Sequence, residues 1–146
     1  MSESDSVPNL MDYGVSLGRR FRALKLWFVI RSFGVEGLRS LIKEHIRIAR
    51  AFSRWIDADP ELERMADADF STVVFRHRPS GMAAAEMDKH NERLLELVTR
   101  GREVYLSHTR VRGKYALRLA IGNIHTNEAQ VRRAFDLVKK AADALK

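Results

Sequence analysis

A chain without cysteine has no thiol nucleophile and no thiolate metal site, and its histidines are scattered. The five histidines, His45, His77, His90, His108 and His125, show no metal-ligand spacing. There is no G-x-S-x-G elbow, no H-E-x-x-H pair and no G-x-x-x-x-G-K phosphate loop. Two places remain where residue type and position could matter. The first is Leu17–Leu38, LGRRFRALKLWFVIRSFGVEGL, where Gly18 lacks a side chain and lets backbone or ligand approach. Arg19 and Arg20 follow it. The second is Arg118, which lies between Ala116 and Ala120 on the strand face opposite Tyr115, Leu117, Leu119 and Ile121. From the residues alone, Gly18 serves equally well as a turn glycine, Arg19 and Arg20 as partners of carboxylates, and Arg118 as a solvated strand arginine.

These residues need elements to position them. Leu17, Phe21, Leu24 and Phe28 recur at helical spacing, and Gly34 with Gly37 punctuates the end of that helix. A second helix is expected from Val35 to Asp57, stopped by Asp59-Pro60, with Leu38, Leu41, Ile42, Ala49, Phe52 and Ile56 on its apolar side. His45 falls on that side too, as a packed histidine. Leu62–Met65 and Thr72–His77 read as strands, the latter ended by Pro79-Ser80-Gly81. Ala83–Thr99 returns to helical spacing through Met87, His90, Leu94 and Val98 and ends before Gly101. Val104–Arg110 and Lys114–Ile121 form a hairpin about Arg112-Gly113. Thr126 caps a last helix whose Val131, Ala134, Phe135, Val138, Ala142 and Leu145 make one stripe. The expected fold class is α+β, with helices over one face of a mostly antiparallel sheet. Residues 1–16 are a lead-in, 17–57 connecting helices and 58–146 a small α+β domain.

Composition bounds the function. A chain of 146 residues with 45% hydrophobic content can bury one real core. No apolar run is long enough to cross a membrane, no secretory signal is read at the start, and a cytoplasmic location is expected. The formal charge of +7 raises the possibility of nucleic acid. However, Arg39, Lys43, Arg47, Arg50 and Arg54 lie opposite the apolar side of their helix, as on any solvated face, and no zinc finger, basic zipper or RNA-recognition signature accompanies them. A non-enzymatic basic α+β binding module, for nucleic acid or a protein partner, is therefore the second reading.

The stretch LGRRFRALKLWFVIRSFGVEGLR resembles the segment joining the large and small domains of group II pyridoxal-phosphate-dependent decarboxylases, the aromatic-L-amino-acid decarboxylase family. VPNLMDYG, DPELERM, TVVFRHRP and GREVYLSHTRVRGKYALRLAIGN continue the likeness to the last helix. The resemblance implies the C-terminal portion of a fold-type I enzyme that releases carbon dioxide from an aromatic L-amino acid. It also implies pyridoxal 5'-phosphate in the complete enzyme, a large cofactor-binding domain as partner, and a homodimer.

In that family the Schiff-base lysine, phosphate cradle, ring-stacking histidine and pyridinium aspartate lie upstream of the LGRRF match. Lys25 and Lys114 are not in the aldimine context. The chain alone is thus expected to be inactive, as a fragment or as a short product complementing a separate large domain. By resemblance, Gly18 and Arg118 line the active site. Glycine at position 18 is similar to the aromatic branch, whereas the histidine-decarboxylating branch has serine. Arg19 and Arg20 support the domain junction. No residue of this chain is assigned as catalytic or as a metal ligand.

Overall fold

The computed structural model describes residues 21–145, in the order α1 (Ala23–Asp57), β1 (Leu62–Arg64), β2 (Thr72–His77), α2 (Ala84–Arg100), β3 (Ser107–Val111), β4 (Lys114–Ala120) and α3 (Glu128–Asp143). The chain divides into two compact units, Met1–Val35 and Glu36–Lys146.

In the first unit the helix carries apolar residues on every side. Leu26, Trp27, Phe28, Val29, Ile30 and Phe33 are all exposed. An amphipathic helix would have one such stripe; a helix apolar all round belongs in an interior. The expected break at Gly34 is present, since that residue leaves the helical region at φ 68, ψ 169. Side chains are essentially excluded from that backbone conformation, so glycine is required there.

The second unit holds a four-stranded antiparallel sheet in the order β1-β2-β4-β3. Its inward residues, Leu62, Val73, Phe75, Leu117 and Leu119, meet Ile48, Phe52 and Ile56 of α1, Leu94 and Val98 of α2, and Val131, Phe135 and Val138 of α3. Among the described residues, the second-unit part of α1, α2 and α3 therefore share one face of the sheet, as the α+β expectation required. Phe52 is fully buried and edge-on to Phe75 at 5.4 Å and Phe135 at 6.1 Å, which ties α1, β2 and α3 together. Burying a side chain of that size contributes about 1.5–3 kcal/mol.

Four expectations shift. Ile42 is exposed, and Ile48 takes its place in the core. β3 begins at Ser107 rather than Val104, because Leu106 is held by core packing and the ladder to β4 starts only at Ser107↔Arg118. The cap of α3 is Asn127, not Thr126. The Asn127 side chain accepts from the Gln130 amide while Gln130 accepts from the Asn127 amide, a reciprocal pair that Thr126 lies one residue too early to make. In α2 the buried stripe is Met87, Asn91, Leu94 and Val98, with Asn91 where His90 was expected.

Candidate functional site

The β2–β4 ladder runs from Thr72↔Ala120 to Phe75↔Leu117. Continued by two residues, it would set His77 opposite Tyr115. The strands part instead, and α2 fills the gap with two side chains. The His77 amide donates to Asn91 Oδ1 at 2.8 Å, and Asn91 Nδ2 donates to the His77 carbonyl at 2.9 Å. The Tyr115 amide donates to Asp88 Oδ1 at 3.0 Å. Main-chain groups that a ladder would have paired are thus satisfied by a helix, as buried polar groups must be.

At the same place His77, fully buried, sets Nδ1 at 2.7 Å from His90 Nε2. One ring donates and the other accepts. Burial holds the His90 imidazole below the usual histidine range. On the other side of His77, Nε2 lies 3.8 Å from Glu61, which shares Lys139 of α3 with Asp59. Burial opposes the charge of Asp59, yet the Lys139 ammonium, the Glu61 amide and the nearby His77 together hold its carboxyl below the ordinary value.

Beside this junction lies a cleft of about 390 Å³, lined among others by Arg76, Arg78, Ser80, Met87, Asp88 and Lys114. Arg76 is buried and bonded to Glu63 at 2.6 Å. Asp88 is committed to Tyr115 and to Arg110 at 3.1 Å.

Arg118 stands on the sheet face away from the helices, exposed, with Val74 and Ser107 as its cross-strand neighbours. Its Nε donates to Ser107 Oγ at 2.9 Å. It does not meet the His77–His90 cluster, which is on the helix-covered side. Gly18, Arg19 and Arg20 lie outside the described residues. His45 is buried as expected, and its Nε2 has no hydrogen bond among the described residues. No group of three or more histidines and carboxylates among the described residues is placed to hold a metal.

A pyridoxal phosphate site needs an enclosed lysine, phosphate donors and an acid for the ring nitrogen. The described lysines do not fit. Lys25, Lys43, Lys89, Lys114 and Lys140 are exposed, and Lys139 is occupied by Asp59 and Glu61. The cleft carboxylate, Asp88, is equally committed. The described residues therefore do not form the cofactor site, and no step through the cofactor is derived from them.

The basic helix face is partly neutralised: Arg39 pairs with Glu36, and Arg47 with Glu44 and Glu128. No helix among the described residues is long and apolar enough to cross a membrane.

Sequence and fold comparisons agree on a class. The pyridoxal-dependent decarboxylase conserved domain matches residues 1–78. Tryptophan decarboxylase TDC2 of Camptotheca acuminata is 43% identical over 145 residues, spanning 99% of this chain and 29% of the relative. The crystal structure of Catharanthus roseus tryptophan decarboxylase in complex with L-tryptophan matches with a TM-score of 0.78 and 37% identity, covering 100% of this chain and 30% of that one. Oryza sativa TDC with PLP and tryptamine matches at 0.80 and 34%, over 93% of this chain and 29% of that one. This chain belongs to the pyridoxal-dependent decarboxylase family, whose members are pyridoxal-phosphate-dependent lyases. It spans under a third of the length of these relatives. Nothing in the comparisons supports a basic binding module.

The His77–Asn91 junction was missed in the sequence. Its signal was one polar residue, Asn91, at core spacing between Met87 and Leu94.

Proposed function

We propose that this chain is the C-terminal portion of a decarboxylase that converts an aromatic L-amino acid to its amine and carbon dioxide. Its partner is a large domain that carries pyridoxal phosphate and the Schiff-base lysine. The observation that carries this is the exposed apolar shell of residues 21–35, on a chain that aligns along its whole length to under a third of larger enzymes. Trp27, Phe28 and Phe33 are exposed by 54%, 58% and 43%, and a surface that apolar needs cover. A homodimer accompanies this reading through the family resemblance, and a cytoplasmic location goes with it. So do the positions of Gly18 and Arg118 at the active site, with Arg19 and Arg20 at the domain junction.

Two measurements test the proposal. The chain alone, incubated with pyridoxal phosphate and trapped with borohydride, should show neither stoichiometric labelling of one lysine nor turnover. Joined to the upstream portion of a tryptophan decarboxylase, it should restore carbon dioxide release from aromatic amino acids. Labelling with turnover in the chain alone, or a folded chimera without activity, would overturn the proposal. In an active chimera, Gly18→Ser should reduce selectivity for aromatic rings over imidazole by roughly ten-fold, since pocket changes of this size are worth about 1–3 kcal/mol.

A further inference from the structure

The junction between α2 and the sheet contains a pair of groups that the proposed decarboxylase chemistry does not use. His77 and His90 are 2.7 Å apart across the β2–α2 contact, with ring centroids at 5.0 Å and planes tilted by 33°. At that distance one N–H proton must lie between the two nitrogens, so the pair needs one neutral acceptor. The surrounding charges are unequal. Glu61, just before β1, faces His77 at 3.8 Å and is itself held by Lys139 of α3 at 3.6 Å, with Asp59 on the same ammonium at 2.8 Å. Two carboxylates sharing one ammonium leave net negative charge on this side of His77. His90 makes no ion pair among the described residues. From α2, Asp88 is turned to Tyr115 and Arg110.

A second proton would place two cations in contact at a site that is fully buried on the His77 side. The same turn of α2 supplies Asn91, which holds both main-chain groups of His77, and Asp88, which holds the amide of Tyr115. Whatever separates the two rings therefore strains the hydrogen bonds that replace the missing stretch of β-ladder.

We propose that the His77–His90 pair is an acid-sensitive latch: with one shared proton it keeps the N-terminal half of α2 seated between β2 and β4, and a second proton releases it. Met87 and Asp88, which line the neighbouring cleft, move with that turn, so release also opens the cleft.

The direction follows from linkage. Where the second proton titrates, a histidine pair that resists it in the folded state binds fewer protons than the unfolded chain, so latch stability falls as pH drops through the ordinary histidine range. Native-state hydrogen exchange on the full chain reads this directly, because the His77 amide is bonded to Asn91. Between about pH 7.5 and about pH 5, after correction for intrinsic rates, the His77 amide should lose protection by several-fold more than the Phe75 amide in the same strand.

His90→Gln keeps a hydrogen-bonding partner for His77 and removes the second titration, so in that variant the excess loss should vanish. If the excess persists in His90→Gln, or is absent from the unaltered chain, the latch is wrong. Should the variant fail to fold, side-chain nitrogen NMR of the unaltered chain decides: one histidine of the pair must take its proton below the ordinary range, and independent ordinary titration of both overturns the proposal.

Discussion

Asn91 stands opposite His77 where a β-strand residue would stand, accepting from its amide at 2.8 Å and donating to its carbonyl at 2.9 Å. The side chain is fully buried and also donates to the Met87 carbonyl. Replacing it with leucine of similar volume keeps the packing but strands both His77 main-chain groups. Each orphaned buried group costs about 1–3 kcal/mol, so Asn91→Leu should destabilise the chain by about 2–6 kcal/mol in urea denaturation. A loss under about 0.5 kcal/mol, the range of ordinary surface changes, would mean that water or relaxation replaces the amide.

That junction also shows where the sequence stopped being informative. Thr72–His77 was readable to the residue because β-branched and aromatic side chains fill it and Pro79 ends it. Gly34 was readable because few other residues break a helix so cleanly. Asn91 was not. Helical spacing allowed either His90 or Asn91 on the buried stripe, and only the parting of β2 from β4, a long-range event, makes the polar side chain the better core residue. The site fared similarly. Arg118 was assigned to the correct strand face by alternation, whereas Asp88 and His77 carry no local signal of the contacts they make. The exposure of residues 21–35 was hidden for a different reason: the run Leu26–Ile30 shows apolar residues all round the helix, but apolar content does not say whether a surface is covered.

The β3–β4 connection leaves a residue of the wrong type in a strained place. Arg112 and Gly113 both have positive φ, 50° and 77°, as the two-residue hairpin turn requires. Asparagine adopts that region far more readily than arginine, so Arg112→Asn should stabilise the chain by about 0.5–1 kcal/mol. Gly113→Ala should do the reverse by about 1 kcal/mol, and since an added Cβ there meets nothing within 4 Å, the cost is backbone conformation alone. Thermal melts of the two variants should move in opposite directions; a shared direction would contradict the turn geometry.

Asp59 and Lys139 set an acid limit on the same domain. Burial alone would raise the Asp59 carboxyl, but the Lys139 ammonium at 2.8 Å, helped by the Glu61 amide and His77, lowers it below its ordinary 3.8. A carboxyl lowered by folding contributes stability that is complete above its unfolded value and is lost as pH falls through the folded one. Lys139→Met removes the main opposing cation and leaves burial in control. The Asp59 carboxyl should then titrate above its ordinary value, and its contribution should change sign, so that mild acid favours the folded variant. Carboxyl-carbon NMR titration checks this, and an Asp59 that still titrates below the ordinary value in Lys139→Met would assign the effect to the backbone amide instead.

Arg118 separates structural from functional roles because its surroundings ask little of it. It is exposed, on the sheet face away from the helices, and its bond to Ser107 Oγ is a surface hydrogen bond. Arg118→Met should therefore change the stability of the chain by no more than about 0.5 kcal/mol. Under the proposed function the same face meets the cofactor side of the complete enzyme. There the arginine supports the reacting groups without gripping the substrate carboxylate, since binding ground and transition states equally would lower KM without speeding bond cleavage. In an active chimera with the upstream portion of a tryptophan decarboxylase, Arg118→Met should lower kcat more than it weakens cofactor affinity. Unchanged kinetics would remove Arg118 from the site, and a large loss of stability in the chain alone would make it a residue of the fold.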